Sequence, residues 1–241
     1  MNISDPVGAR ARFLAAIAKA SAHDQPVRLC AACVQVLAVA RAAITVQVRG
    51  PGLEVLCASD SVAERVEWAQ ITLGEGPGMD AVAAGGPVVA SDLAAMDGRW
   101  PMFAPEGITS GVGAMYALPL QVGAIGVGVL DLYRDAPAHL DTADFADAVA
   151  VADLVTAILL TVGRTGRING SLSPWWDQPL SAREVHQATG MIVAQLGVTA
   201  REAYVRMQGF AYAHGRLLDD VAHHVVGRRL RFDPDPDLGP A

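Results

Sequence analysis

The chain has 241 residues, room for one large domain or two of ordinary size, and 52% of it is apolar, so a substantial core is available. Aromatic residues make up only 5%, which makes that core aliphatic. A net charge of −7 is the wrong sign for a protein that coats nucleic acid along its whole length. The charge is uneven, however: residues 181–232 carry seven arginines against Glu184, Glu202, Asp219 and Asp220, a net of about +3, which leaves about −10 elsewhere.

The early apolar stretch FLAAIAKASA is short and broken by Lys19, so no secretory signal is expected. The longest other apolar run, 142–163, contains Asp144, Asp147 and Asp153, too many charges for a membrane span. Three cysteines cannot all pair, and a reduced cytoplasm is the expected setting.

Residues 8–20 and 26–40 read as two amphipathic helices, with Phe13, Leu14 and Ile17 on one apolar stripe and Leu29, Cys33 and Leu37 on the other. The strand-like runs AITVQV (43–48) and LEVLCAS (53–59) flank Arg49-Gly50-Pro51-Gly52, good hairpin chemistry. Ile71 to Leu73 lead into GEGPG and a short helix from Met79. PVVA (87–90) reads as a buried strand, and a loop with Trp100, Pro101, Phe103 and Pro105 follows. Two further strands, GAMYALPL (113–120) and AIGVGVLDLY (124–133), precede a helix opened by Asp141 and running to about Val162. Its apolar face is Phe145, Val149, Ala152, Val155, Ile158 and Leu159. Helices first and last around a mostly antiparallel sheet make an α+β domain.

The two leading helices, GEGPGMDAVAAGGPVVASD and ALPLQVGAIGVGVLDLYR together resemble a GAF domain over residues 8–163. The resemblance implies a strand-and-loop cup that receives a small-molecule or protein signal. The cup is expected between the sheet and the 74–107 segment, near Trp100, Met102, Phe103 and Met115. Those side chains could equally fill it themselves. The 141–162 stripe, too apolar for a free surface, predicts a homodimer.

Residues 164–180 turn to Gly, Arg, Asn, Ser and Pro and read as a linker. Trp175 and Trp176 within it read as packing against a domain, with an aromatic RNA contact as the alternative. After it, Ser181-Ala-Arg-Glu184 and Thr199-Ala-Arg-Glu202 are near copies of a capping box. They open two helices separated by Gly197, and a third starts near Asp219. Glycine is a poor helix former, so Gly190 in mid-helix predicts close packing between backbones. Residues 233–241 are expected to be a disordered tail.

HQATGMIVAQLGVTAREAYVRM followed by HGRLLDDVAHHVV resembles the ANTAR domain over residues 181–232, an all-α three-helix bundle that binds RNA hairpins in nascent transcripts and prevents terminator formation. Ala188, Gly190, Ala203 and Ala222 match the family's small-residue positions, and Arg206 and Arg216 fall where basic residues are common. The resemblance implies an RNA surface drawn from Arg183, Gln187, Thr189, Arg201, Arg206, Arg216, Arg228 and Arg229. Many family members have a lysine where this chain has Thr189, which removes one phosphate contact.

Other patterns are dull. Cys30-Ala-Ala-Cys33 lies on an apolar helix face and reads as core, a redox or metal role with Cys57 being the alternative. GEGPG lacks the Gly-Lys-Ser/Thr of a phosphate loop, and no helix follows GAIGVGV closely enough for a dinucleotide fingerprint. His223 and His224 point about 100° apart on a helix and do not share a metal. No nucleophile, base and orienting acid come together, so no catalytic residues, metal or cofactor are expected. The overall reading is a signal-responsive, cytoplasmic antitermination regulator. A DNA-binding helix-turn-helix over IVAQLGVTAREAYVRM is the first alternative, disfavoured by the length expected of the third helix and by the resemblance to the ANTAR domain. A protein-binding GAF sensor without RNA affinity is the second.

Overall fold

A computed structural model describes residues 6–18, 25–47, 52–96, 98–123, 125–165 and 180–233. Trp175, Trp176, Lys19, the 49–51 turn, and most of the linker and tail lie outside them. The chain divides into two compact units, one of Met1–Gln47 and Leu53–Asp177 and the other chiefly of Gln178–Ala241.

The first unit is a five-stranded antiparallel sheet ordered β2-β1-β5-β4-β3, from β1 (Arg41–Gln47), β2 (Leu53–Ala58), β3 (Val88–Ala90), β4 (Ala114–Val122) and β5 (Ile125–Arg134). Helices α1 (Pro6–Ala18), α2 (Gln25–Val36) and α6 (Thr142–Thr165) form one layer; α3 (Ser61–Leu73), α4 (Pro77–Ala84) and α5 (Phe103–Thr109) form the other. Strands covered on both sides lose the alternation of a half-exposed sheet, and Ala42 to Val46 are buried in succession.

Two helices were not expected. Helix α3 is N-capped by Asp60, whose carboxylate accepts from Ala63 N at 2.8 Å, and is stopped by left-handed Gly74. It is buried on every side from Val66 to Thr72, so it shows no amphipathic stripe. Helix α5 forms where a loop was expected, because Pro105 falls in its first turn, where a missing N–H costs nothing. Glu75 completes that end by accepting from Met102 N and Phe103 N at 2.5 and 2.7 Å.

Of the α6 stripe, Ala152, Val155 and Leu159 are buried where α6 packs on α1 and the sheet, whereas Phe145, Val149 and Ile158 are half-buried. Cys30 and Cys57 form a disulfide joining α2 to β2, a bond the sequence reading did not name, while Cys33 is a free, buried thiol whose pKa burial raises.

The second unit packs α7 (Leu180–Leu196), α8 (Ala200–Ala213) and α9 (Leu218–Val226) around Val185, Ala188, Ile192, Ala203, Met207, Val221 and Val225. Gly197, at φ 68, ends α7, and Thr199 with Glu202 forms the expected capping box. Ser181 falls within α7 rather than before it, and Glu184 meets His223 Nδ1 at 3.2 Å.

Candidate functional site

The cationic surface of the helical unit is set by three short helices and their ends. Exposed positions on α7 recur as Arg183, Gln187, Gly190 and Ala194, the spacing of one helix face. Thr189 lies off that face. It is 9% exposed, and its hydroxyl donates to Val185 O at 2.7 Å. A side chain turned back onto its own helix is not placed to touch a ligand, and a lysine here would have to bury its stem and reach around the helix.

Gly190 is a second correction. It is exposed, and a side chain there would meet nothing within 4 Å. No neighbouring backbone explains this glycine. The bundle's close approaches instead use buried Ala188, Ala203 and Ala222.

On α8, Arg201 is exposed and Arg206 half-buried; five positions apart, they point roughly 140° away from each other. Arg216 is exposed on the turn into α9. Arg228 and Arg229 are exposed just beyond α9. Arg201 and Arg206 therefore do not share one face of α8. What the fold does assemble is a groove of about 530 Å³ in which Arg228 and Arg231 flank Met191, Val225 and Leu230. Gln195, also on its wall, accepts the Phe232 N–H at 2.9 Å. Apart from the arginines these residues gave no signal in the sequence, since Met191, Gln195 and Leu230 are unremarkable until the chain turns back past α9. That helix has nine residues, so its length does not argue against a helix-turn-helix.

In the first unit the four residues expected at the cup differ in burial. Trp100, Phe103 and Met115 are fully buried core, and Met102 is half exposed. Trp100 Nε1 donates to Asp80 at 3.2 Å, beneath the Arg99 guanidinium 4.7 Å from its ring.

Between α3, α4 and the sheet lies a polar cluster that sequence reasoning missed. Glu67 accepts from Thr45 at 2.6 Å, from Gln70 at 3.1 Å and from Tyr133. Gln70 also donates to Asp131 at 3.2 Å and accepts Gly78 N–H at 2.8 Å. All of these side chains are buried. Burial raises the pKa of Glu67, and burial together with the Glu67 charge pushes that of Asp131 well above the usual carboxylate range. The available signal was Asp131 standing alone in an otherwise apolar strand, VGVLDLY. The GEGPG turn finds its role here: a side chain on Gly78 would strike the Asp131 carboxylate, so only glycine lets α4 start against the cluster. Among the described residues no three His, Cys, Asp or Glu side chains are arranged to hold a metal ion, and no helix is long and apolar enough to cross a membrane.

Residues 179–226 match the ANTAR domain, the RNA-binding module of antitermination regulators. None of the curated proteins matches the chain. Among solved structures, the GAF domain of a phosphoenolpyruvate-protein phosphotransferase from Coxiella burnetii covers 70% of this chain and 100% of its own, at TM-score 0.54 and 13% identity. Its counterpart from Acinetobacter covers 68% and 97%, at 0.53 and 13%. Free methionine-R-sulfoxide reductase from Neisseria meningitidis, solved with its substrate, covers 68% and 96%, at 0.50 and 18%. The chain is thus a GAF-type fold followed by an ANTAR domain.

Proposed function

We propose that the protein is a signal-responsive antitermination regulator of the cytoplasm, which binds RNA hairpins through its ANTAR domain under control of the GAF-type unit. The ANTAR match over residues 179–226 carries this reading. Charge supports it, because residues 181–232 carry a net of about +3 while the rest of the chain is acidic, the excess coming from Arg228, Arg229 and Arg231 just beyond the matched segment. The GAF-type unit supplies the input as a sensor, not as a catalyst. Its likeness to a sulfoxide reductase is one of fold, and fold does not carry chemistry.

Binding of the full chain to a hairpin RNA and to a DNA duplex of equal charge tests the proposal. We expect tighter binding to RNA, with affinity falling by roughly 0.7 to 0.9 log units per phosphate contact for each log unit of salt. Equal affinity for the two would favour a DNA-binding regulator. Binding to neither, with a salt-insensitive protein partner recovered instead, would leave a protein-binding sensor.

A further inference from the structure

Helix α9 ends in an uncommon way. Gly227 keeps ordinary right-handed backbone at φ −71, and the left-handed turn falls on Arg228 at φ 56. Among the described residues Arg228 is the only non-glycine in that region; Gly197 and Gly215 occupy it after α7 and α8. A Cβ there crowds the following carbonyl, and glycine would relieve the strain. The turn is held by Arg228 N to Val225 O at 3.0 Å and Arg229 N to His224 O at 2.8 Å, main-chain bonds that glycine would make equally well. What arginine adds is its guanidinium, and no carboxylate among the described residues pairs with it. Strain kept where a cheaper residue would serve points to use of the side chain.

That side chain stands on the rim of the groove described above. The apolar floor of Met191, Val225 and Leu230 suits the face of a planar base. Arg228 and Arg231 on the rim suit phosphate, and among the described residues the only carboxylate beside Arg231 is the exposed Asp233 at 3.8 Å. Because the Gln195 oxygen is taken by Phe232 N–H, its NH2 group remains as a donor. The volume of about 530 Å³ falls in the range of about 300–1,000 Å³ typical of small-ligand clefts. Paired RNA offers no isolated base face, whereas unpaired loop nucleotides do.

We infer that this groove seats an unpaired nucleotide of an RNA hairpin loop, with Arg228 as its phosphate anchor; the inference rests on the RNA-binding reading above. It places recognition on residues of α7, the end of α9 and the segment after it, a lining that does not include Arg201, Arg206 or Arg216.

The test uses the full chain and a fluorescein-labelled RNA pool with one fixed stem and a randomised loop, beside a loopless RNA duplex of equal charge. The wild type should prefer the hairpin pool. Arg228→Gly should weaken that binding about tenfold and reduce the salt slope by about one contact, while the melting temperature holds or rises by a few degrees. A merely structural arginine would lose stability and affinity together, and a lower melting temperature would overturn the strain reasoning. Leu230→Glu, which leaves the 228 backbone alone, should weaken binding as well. Arg206→Ala with Arg216→Ala should have the smaller effect. Wild-type affinity in Arg228→Gly or Leu230→Glu, or equal binding of loopless duplex, sinks the groove while leaving RNA binding intact. No binding of either RNA by the wild type removes both.

Discussion

A side chain on Gly128 would run into the Thr45 carbonyl across the β1–β5 ladder, and one on Gly78 into Asp131, whereas one on Gly190 or Gly209 would meet nothing within 4 Å. At Gly78 and Gly128 in the GAF-type unit glycine marks a place where the chain has no room, whereas Gly86 and Gly98 of the same unit face open space. In the ANTAR module two mid-helix glycines face open space, each costing about 1 kcal/mol relative to alanine with no contact of the chain to offset it. Packing accounts for the two crowded glycines of the first unit. The second carries features, with strained Arg228 among them, whose reason lies outside its own packing.

The sharpest way to break this contrast is Gly128→Val. A methyl group forced into backbone cannot be relieved by a rotamer change, so we expect a loss of about 4 kcal/mol or more. Hydrogen exchange of the β1 and β5 amides would report it within the sheet alone. Near-native protection would mean that the ladder has room to spare and that the contrast is false.

Reduction of the Cys30–Cys57 disulfide comes next. The bond closes a loop with a sequence separation of 27, so its loss should cost about 3 to 4 kcal/mol through the freed unfolded chain. Denaturant unfolding with and without reductant measures this. An unchanged midpoint would show that α2 and β2 are held by packing alone.

The buried acids make the first unit sensitive to pH. Both folded pKa values lie above the unfolded ones, which are near 4. The folded state therefore holds its protons more tightly. On this account stability is fully present below about pH 4 and declines as pH rises through the raised values. Asp131→Asn removes the buried Asp131 charge and offers an amide N–H in its place. We expect roughly 1 to 3 kcal/mol more stability at pH 7 and a flatter pH profile. A profile as steep as in the wild type would show that the pair does not control it.

The smallest effect belongs to the module. Gly190→Ala should stabilise the bundle by about 1 kcal/mol, seen as a rise of a few degrees in melting temperature. Loss of stability would show that the glycine is packed after all. A gain in stability accompanied by weaker RNA binding would show where its cost is recovered.

Much of this was legible in the sequence because it depends on local chemistry. Periodicity and caps predicted the strands, the closing helix, the Gly197 stop and the Thr199–Glu202 box, since a few neighbouring residues settle each of them. Charge counting alone separated the acidic body from the basic end. Helix α3 stayed hidden because burial on every side erases the stripe by which a helix is read. The meeting of Glu67 with Asp131 depends on packing α3 against β5 across 64 positions, and the groove depends on the chain turning back over α7 at Arg228. Gly190 and Thr189 exchanged their expected roles for a similar reason. Neighbours on a helix differ by about 100°, so which one faces the core is decided by how three helices meet, and residue type does not report that.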